Sequence, residues 1–538
     1  MAASWDAPLF WDSFGVTWDG TVAAGKAIPT VVVEIDWNGD GDLGDTNEDC
    51  SADFIEGVMF RGASIPSRLT GQALVGTMRV TLDNKAGTYS PFYTSSPISG
   101  SLLPGRLVRF RTTAPGSVIL WTGELETLLP KPALGGRMVA ELIALGPLFG
   151  LQTESKVAMT TNIGTGAAIT AILDDISWSA TRRQIDTGQT TMTRWMVEPK
   201  KALTAAREVE ATEAGLLREM RNGDIGFEGR QHRLSEPHTT SQRTFTDGTL
   251  GEGATGYDAL EELDSLPLIF NEFSSTVPTW TPGVEATLWT LQETGASSPA
   301  ILAGEALTFW AAYPNAAVDP SGLGVGVDED GWVTPVHTTD YTVNTQTDGG
   351  GDALQASVAV AASKFSNSMK ITLTNNSGSD GFITALKGRG IPILANDPTT
   401  VSVEDATSQT AYGVRKFPRP EEAKWVPSTT EARQWCNFQL SIYKDPNPML
   451  GITTPSTRDI HHLTAALSGD VSDRVTVVAT SARTLLGINE DFFIEAVRHR
   501  FDKGGELRSE FLLSPAAPFS EFWVLDKGAL GIGTKLGY

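Results

Sequence analysis

The sequence predicts a mainly β, multidomain protein with one α+β module. Glycine and proline are frequent, at 54 and 29 residues, which is typical of a chain with many turns. Short segments such as TMRVTLDN and SVILWTGELETL are rich in β-branched residues and are bounded by turn residues, as strands are. At 538 residues the chain is too long for one ordinary core, so several domains are expected.

Residues 1–155 are predicted to form an antiparallel β-domain. A β-branched run near residue 31 leads into an acidic loop, and GVMFRGASIPSRL, LVRFRTT and RMVAELIAL follow as further short segments. Strands of this length, separated by turns and not by helices, are characteristic of a small barrel or a sandwich.

Residues 156–270 are predicted to form the α+β module. TGAAITAILDDI (165–176) has apolar residues at helical spacing, and PKKALTAAREVEATEAG (199–215) repeats the pattern with Gly215 as a plausible C-cap. The turn signal NGD (222–224) then predicts a hairpin of two short strands.

Two further domains complete the predicted order. Residues 271–395 alternate, with a turn signal about every ten residues, which favours an inserted β-sandwich. Residues 396–538 read as a β-rich C-terminal domain with one helix, STTEARQWCNFQLSIY (428–443). Ser428 and Glu431 have the spacing of a capping box at the start of that helix.

The charge and the apolar runs exclude some functions. The 41 basic and 64 acidic residues give a net charge of −23, and a field of that sign repels nucleic acid. An acidic surface suits divalent cations, or a channel that DNA must pass without adhering. No apolar run reaches the roughly 18 residues of a membrane helix, and no signal peptide is visible at the N-terminus.

The search for catalytic and cofactor-binding residues finds none, so the protein is not predicted to be an enzyme. HExxH, G-x-S-x-G, Walker A and dinucleotide-binding patterns are missing from the sequence. His461 and His462 are adjacent, and in a strand their side chains would diverge. Cys50 and Cys436 define no disulfide framework, fit a reducing cytosol and are expected to be buried thiols.

The acidic loop within VVVEIDWNGDGDLGDTNED (31–49) is the candidate metal site. Asp36, Asn38, Asp40 and Asp42 occupy positions 1, 3, 5 and 7 of an EF-hand-like loop, with Gly41 at position 6 for the sharp turn. These oxygen ligands suit a structural Ca²⁺. A shell filled with protein oxygens leaves no open position for catalysis.

The far end of this loop departs from the calcium pattern. Position 12 is Asn47 where an EF-hand has a bidentate Glu. Asp45, Glu48 and Asp49 are alternative residues for closing the shell. The competing interpretation is a solvated, Asx-rich turn without a metal.

A resemblance to a known family rests on the order of several phrases. VEIDWNGDGDLGD, LDNKAGTYSPF (82–92), GSLLPGRLVRFR (100–111) and WTGELETLLP (121–130) resemble the opening of minor tail proteins of long-tailed, siphovirus-type bacteriophages. GAAITAILDDI, KALTAAREVEATEAGLLREMRNGDIGFEGRQHR and the terminal GINEDFFIEAVRHRF…LLSP…FWVLDKGALGIGTKLGY are similar to the baseplate hub, the central protein of the tail tip, in those phages. The resemblance covers about residues 30–270 and 400–538.

The resemblance implies a structural role in the virion. Such hubs are homotrimers that cap the tail tube, and two tube-like β-domains in each subunit build a pseudo-sixfold ring. The implied partners are the distal tail ring or tube protein, the tape-measure protein, and tail fibres or the host surface. DNA would pass through the ring during ejection without specific binding. The implied location is the phage tail tip, after synthesis in the host cytoplasm.

Two alternatives remain open at this point. The first alternative is another component of the same tail tip, either a distal tail ring protein or a fibre-bearing minor tail protein. A different class is a Ca²⁺-dependent carbohydrate-binding or carbohydrate-active protein, which would use some of the 14 tryptophans. The family does not define a role for the inserted residues 271–395. Decoration of the tail, contact with the host and docking of fibres are all open.

Overall fold

A computed structural model describes most of the chain from residue 27 to residue 536. The ranges outside the description are 1–26, 66, 133–137, 249–253, 264–265, 294, 314–321, 326–330, 447, 455, 482–484, 521, 524–534 and 537–538. Most of the terminal phrase FWVLDKGALGIGTKLGY therefore lies outside the described residues. The predicted mainly β class is confirmed, since strands run through the whole described chain and helices are few.

Six antiparallel strands form the N-terminal part of the fold. They are paired in the order β1-β4-β5-β6-β3-β2. Strand β3 shows why they form, because Met78, Val80 and Leu82 point into the core while the residues between them face outward. The strands are β1 (Thr30–Ile35), β2 (Phe54–Ala63), β3 (Ala73–Asp83), β4 (Leu107–Ala114), β5 (Val118–Pro132) and β6 (Met138–Leu145).

The α+β module follows, and both predicted helices are present. Strands β7 and β9 pair as an antiparallel ribbon, and β10 and β11 form the hairpin predicted at NGD, with Glu219 opposite Ile225. The predicted C-cap is wrong by one residue, because Ala214 and not Gly215 adopts the left-handed conformation (φ 58°). The elements are β7 (Glu154–Gly164), α1 (Thr165–Asp175), β8 (Arg183–Ile185), β9 (Thr191–Lys201), α2 (Ala202–Glu213), β10 (Leu216–Glu219) and β11 (Ile225–Glu228).

A long antiparallel ribbon of β15 and β25 connects the inserted region to the rest of the fold. Beyond the ribbon, a sheet built on β24 and a sheet of β18, β23 and β22 share one buried core. The strands from the module to the end of the insertion are β12 (Arg243–Thr246), β13 (Ala254–Gly256), β14 (Ala259–Leu263), β15 (Glu272–Pro282), β16 (Ala286–Thr290), β17 (Ala300–Ile301), β18 (Ala306–Ala312), β19 (Gly322–Val325), β20 (Trp332–Val333), β21 (Tyr341–Asn344), β22 (Val358–Lys364), β23 (Ser368–Asn375), β24 (Gly381–Gly390) and β25 (Pro392–Glu404).

The C-terminal region contains more helices than the one that the sequence predicts. Helix α4 begins as predicted, since the Ser428 side chain accepts a hydrogen bond from the Glu431 N–H. Helices α3 and α5 were not predicted, and each begins at an aspartate, Asp405 or Asp459, that caps it. The elements are α3 (Ala406–Tyr412), β26 (Lys416–Pro418), α4 (Thr429–Tyr443), β27 (Met449–Thr454), α5 (Ile460–Ser468), β28 (Arg474–Ala479), β29 (Ile488–Phe501), β30 (Leu507–Pro515), α6 (Ala517–Ser520), β31 (Phe522–Trp523) and β32 (Lys535–Leu536).

Short 3-10 helices connect several of these elements. They lie at Ser51–Asp53, Pro147–Gln152, Ala180–Arg182, His232–Leu234, Leu266–Leu268, Gly295–Ser297 and Gln355–Ser357.

The two ends of the chain share one sheet of 13 described strands. The six N-terminal strands form one half, and β12, β13, β14, β27, β28, β29 and β30 form the other half. The halves are joined by β2 and β29, which pair antiparallel from Gly57 opposite Phe501 to Gly62 opposite Ala496. We call these two parts the N-terminal half-sheet and the C-terminal half-sheet.

Two predicted domain boundaries fall inside strands of the structure. Those at 155/156 and 395/396 fall inside β7 and β25. Strands β12 to β14, which the sequence places in the α+β module, pair with the C-terminal half-sheet, because hydrogen bonding to β28 and β27 completes their backbone bonds.

Candidate functional site

The acidic loop leaves the N-terminal half-sheet directly after β1. Asp36 is buried and begins the loop, and its carboxylate accepts hydrogen bonds from the Gly39 N–H at 2.5 Å and the Gly41 N–H at 2.9 Å. Both glycines have positive φ, 79° and 89°, which side chains with a Cβ rarely tolerate. The chain therefore curls around the first predicted ligand.

The next polar side chains extend this curl. Asn38, Asp40 and Asp42 each accept a backbone N–H two residues further along, at 3.0, 3.0 and 2.6 Å. The Asn38 amide nitrogen also donates to the Asp40 carboxylate at 3.0 Å and to the Asp45 carboxylate at 2.7 Å. Asn38, Asp40 and Asp45 thus form one group, and Asp42 turns to Gly44.

Glu48 lies at the end of the acidic loop, where the chain returns to β1. Its backbone carbonyl accepts the Ile35 N–H at 3.0 Å, so the loop returns beside β1. The side chain is 2 % exposed, and its Oε2 accepts the Asp45 N–H at 2.9 Å. Burial raises the pKa of Glu48, and the carboxylates of Asp45, Asp36 and Asp40 raise it further.

The four predicted metal ligands are not gathered around one point in the structure. Within the described ranges, no group of three or more His, Cys, Asp or Glu side chains is placed to hold a metal ion. The hydrogen bonds of Asp36, Asn38, Asp40 and Asp42 to loop amides are those of consecutive Asx turns. The Ca²⁺ site therefore stays a prediction.

A second group of polar residues, which sequence reasoning missed, is buried between the half-sheets and the α+β module. Arg233 and Glu495 are 1 % and 2 % exposed and make two bonds of 2.7 Å. Glu228 accepts from Arg218 at 2.5 Å and also contacts Arg68. Burial opposes its ionisation, but these guanidinium groups hold the pKa of Glu228 well below its usual range. We call these five residues the buried ion-pair cluster.

A related contact fixes the module against the N-terminal half-sheet. The buried Glu219 carboxylate accepts the Gly76 N–H at 2.7 Å and the Leu148 N–H at 2.9 Å. Burial raises the pKa of Glu219 to about 7. A Cβ at Gly76 or Gly146 would lie 2.2 or 2.1 Å from this carboxylate, so a side chain at either position would displace it.

The adjacent histidines and the two cysteines that the sequence singles out have structural surroundings. The expectation that His461 and His462 lie in a strand is wrong. Both begin α5, because the Asp459 carboxylate accepts both of their N–H groups. Cys50 and Cys436 are free and buried, and burial raises the pKa of each thiol to about 11. At neutral pH both are thiols and poor nucleophiles.

Most described tryptophans are buried in cores. Trp280 and Trp425 border a cleft of about 760 Å³, but their rings pack against each other in an edge-to-face contact at 4.8 Å. Trp310 is half exposed, and its ring is stacked on Phe365. The tryptophans that are less than about a tenth exposed are Trp37, Trp121, Trp195, Trp332, Trp425 and Trp435.

Comparisons with known proteins give fold neighbours only. No protein-family model and no curated protein matches the sequence. Among the described residues, no helix is both long enough and apolar enough to span a membrane.

The chain is similar to solved tail proteins at low identity. The 43 kDa tail protein of prophage MuSo2 from Shewanella oneidensis is 10% identical, with a TM-score of 0.46 over 91% of this chain and 99% of that one. A tail protein from Neisseria meningitidis MC58 is 10% identical, with a TM-score of 0.47 over 91% and 98%. The prophage tail protein gp18 from Listeria monocytogenes EGD-e is 10% identical, with a TM-score of 0.39 over 90% and 94%. All three are named as tail proteins.

Proposed function

We propose that the protein is a structural hub of a phage tail tip, in which three copies close a ring at the end of the tail tube. The observation that carries this proposal is the pair of half-sheets in one chain, joined side by side through β2 and β29. Three chains with cyclic symmetry would place six half-sheets around one axis. That arrangement fits the pseudo-sixfold ring that the sequence resemblance implies.

The surface between β3 and β4 supports assembly with further copies or other tail proteins. Phe92 is 98% exposed, and Tyr93 and Leu103 in the same connection are about half exposed. Exposed apolar side chains in one segment are typical of an interaction surface. Phe92 belongs to LDNKAGTYSPF, one of the phrases that carry the resemblance.

The proposed role is mechanical and not enzymatic. The net charge of −23 suits a lumen through which DNA slides, because like charges do not adhere. The ring would hold the tape-measure protein and contact the tube or distal ring. A shift between subunits on adsorption would open the path for DNA. Fibres or the host surface would be the outer partners.

Electron microscopy of the purified protein and of intact particles, with symmetry left free, tests the proposal. The expected result is a threefold ring with a central passage at the tail tip. A sixfold ring would overturn the hub in favour of the distal tail ring. A monomer found in no particle would overturn the tail function, and a glycan screen would follow.

The exposed segment gives a matched pair of variants for the same experiment. Phe92→Ser is expected to reduce ring formation while the melting temperature stays that of the parent, because Phe92 contacts solvent in the single chain. Val284→Ser, at an 83% exposed position in the insertion, is the control and should assemble normally. Equal assembly of both variants would contradict a contact role for Phe92.

A further inference from the structure

The outer face of one sheet in the insertion exposes a tryptophan. Side chains alternate along β18, so Phe309 and Ala311 pack in the core of the insertion and Trp310 between them faces outward. The Trp310 side chain is 50% exposed. Folding does not require an aromatic residue at an outward strand position, so this indole ring is a candidate contact for a ligand.

The indole ring is held in one orientation by two neighbours. It is stacked on the ring of Phe365, with centroids 5.8 Å apart and an interplanar angle of 27°. The Lys156 ammonium group, which belongs to β7 of the α+β module, lies 5.2 Å from the centre of the indole and 5.8 Å from the centre of the Phe365 ring. A side chain that is already ordered loses little entropy when a ligand packs on it. These contacts therefore preorganise the exposed part of the ring.

The side chains around Trp310 on this face are short, and several carry hydroxyl groups. Thr308 of β18 lies opposite Thr372 of β23, and their hydroxyl groups are hydrogen-bonded at 3.1 Å. Ala361 of β22 continues the same row, and Ala312 is the next outward residue of β18. Because none of these side chains is large, they leave the indole uncovered and place hydroxyl groups beside it.

Two lysines bring positive charge to the exposed ring. Lys370 is exposed and lies directly opposite Trp310 on β23, where side chains on one face are close neighbours. Lys156 has a long ion pair of 3.9 Å with Glu154, and surface pairs of this kind are weak. In a chain with a net charge of −23, two ammonium groups beside one exposed aromatic ring suit an anionic ligand.

We propose that the outer face of the sheet of β18, β23 and β22 binds an acidic glycan, a saccharide whose rings carry carboxylate or phosphate groups. The C–H face of one sugar ring would pack on Trp310, because the face of an aromatic ring is electron-rich. Lys156 and Lys370 would pair with the anionic group, and the hydroxyl groups of Thr308 and Thr372 would bond to sugar hydroxyls. The insertion would then contact a glycan-coated surface, whether or not the chain forms a ring.

Single-stranded nucleic acid is the competing ligand, because its bases also stack on aromatic rings beside basic residues. Proteins that bind it stack successive bases on several rings and follow the backbone with a positively charged groove. The outward positions of β18, β22 and β23 present one aromatic ring, Trp310, beside a pair of hydroxyl groups. This arrangement favours a sugar, and an oligothymidylate is the competing probe in the test.

The test measures binding of the full chain to immobilised oligogalacturonate, oligosialic acid and phosphorylated mannan, with maltotetraose as the neutral comparison. The parent is expected to retain an acidic glycan and to release it as the salt concentration rises, because salt screens the lysine charges. Calorimetric titration with the best ligand then compares the variants. Trp310→Ala should weaken binding at least about tenfold, since the sugar loses its stacking surface.

Lysine variants separate the local charge from the charge of the whole chain. Lys370→Gln should weaken binding of the acidic glycan about three- to tenfold, because a charge-assisted contact is lost. Lys387→Gln is the matched control, since Lys387 is also exposed but lies on β24 in the other sheet of the insertion. It should bind with the affinity of the parent.

Each other outcome overturns part or all of the proposal. A parent that retains none of the acidic glycans would overturn the site, and equal retention of maltotetraose would remove the role of the lysines. Tighter binding of the oligothymidylate would replace the glycan by nucleic acid. If Trp310→Ala does not fold, Lys370→Gln carries the test, and parental affinity in that variant would contradict the charge pairing. A threefold ring that binds no glycan would overturn this site alone.

Discussion

Glu219 illustrates at the scale of one residue how burial makes a carboxylate sensitive to pH. It is 4 % exposed and holds two backbone N–H groups from different segments, those of Gly76 and Leu148. Desolvation disfavours its charge, and its pKa of about 7 lies above the ordinary 4.5. The folded chain therefore keeps a proton that the unfolded chain has lost between these two pH values.

The pH dependence of stability follows from that proton. As the pH rises from about 4.5 to about 7, Glu219 lowers the free energy of unfolding by an amount on the order of 2–3 kcal/mol, and the change levels off about one pH unit above 7. Glu219→Gln cannot ionise, so its melting temperature should fall less than that of the parent over this window. Thermal melts at several pH values measure the difference, with Glu126→Gln on the exposed side of β5 as the control. Parallel curves for all three proteins would contradict the assignment.

At the scale of elements, the contact between β2 and β29 decides whether the half-sheets are continuous. Each strand shifts register against its other neighbour near this contact, β2 against β3 between Phe60 and Gly62 and β29 against β30 between Ile494 and Ala496. Such bulges bend a sheet and increase its twist. Gly62 has a φ of 112°, and a Cβ there would lie 2.3 Å from the Glu495 carbonyl oxygen. Glycine thus permits the close approach of the two halves.

Replacing this glycine should separate the strands. Gly62→Ala is expected to cost about 2–4 kcal/mol of unfolding free energy, because backbone strain and the clash with Glu495 add. Gly100→Ala is the control, since Gly100 also has a positive φ of 85° but nothing lies within 4 Å of an added Cβ; it should cost about 1 kcal/mol. Urea denaturation of both variants gives the comparison. Equal costs would show that the clash is unimportant.

At the scale of the whole molecule, the buried ion-pair cluster joins regions that are far apart in sequence. Arg233 lies in the 3-10 helix of the α+β module and Glu495 lies on β29, 262 residues later. Ser514 also donates to the Glu495 carboxylate at 2.5 Å, and the Arg233 guanidinium lies 4.5 Å from the centre of the Phe493 ring. Burial of charge is compensated here only when all these partners are present. The module and the C-terminal half-sheet are expected to unfold together.

Removing one partner of the Arg233–Glu495 ion pair should therefore lower the free energy of unfolding more than removing both partners does. Arg233→Met leaves Glu495 charged, buried and unpaired, which is expected to cost about 3–5 kcal/mol. Arg233→Met combined with Glu495→Leu removes both charges and should recover part of this loss. Urea denaturation of the parent, the single variant and the double variant measures the three free energies of unfolding. A double variant less stable than the single one would contradict an electrostatic cause.

Local patterns were sufficient for the class of fold and for several elements. The mainly β class, the helices near 165–176 and 428–443 and the hairpin at NGD depend on periodicity, caps and turns within a few residues, and all are present. The curl of the acidic loop is equally local, because its oxygens and glycines alternate along the chain. Asp405 and Asp459 are also local N-cap residues, of α3 and α5, but these helices are too short to show a clear helical periodicity.

By itself, then, the sequence determined the β-rich class, the local elements and the acidic residues from which a Ca²⁺ site would be built. Only the tertiary structure decided that Glu48 is buried, because its backbone carbonyl pairs with β1 and Asn47 turns the chain in the left-handed conformation. The joining of the half-sheets and the pairing of Arg233 with Glu495 were likewise decided by folding. Contacts between residues hundreds of positions apart depend on burial and shape, which leave no pattern in a short stretch of sequence.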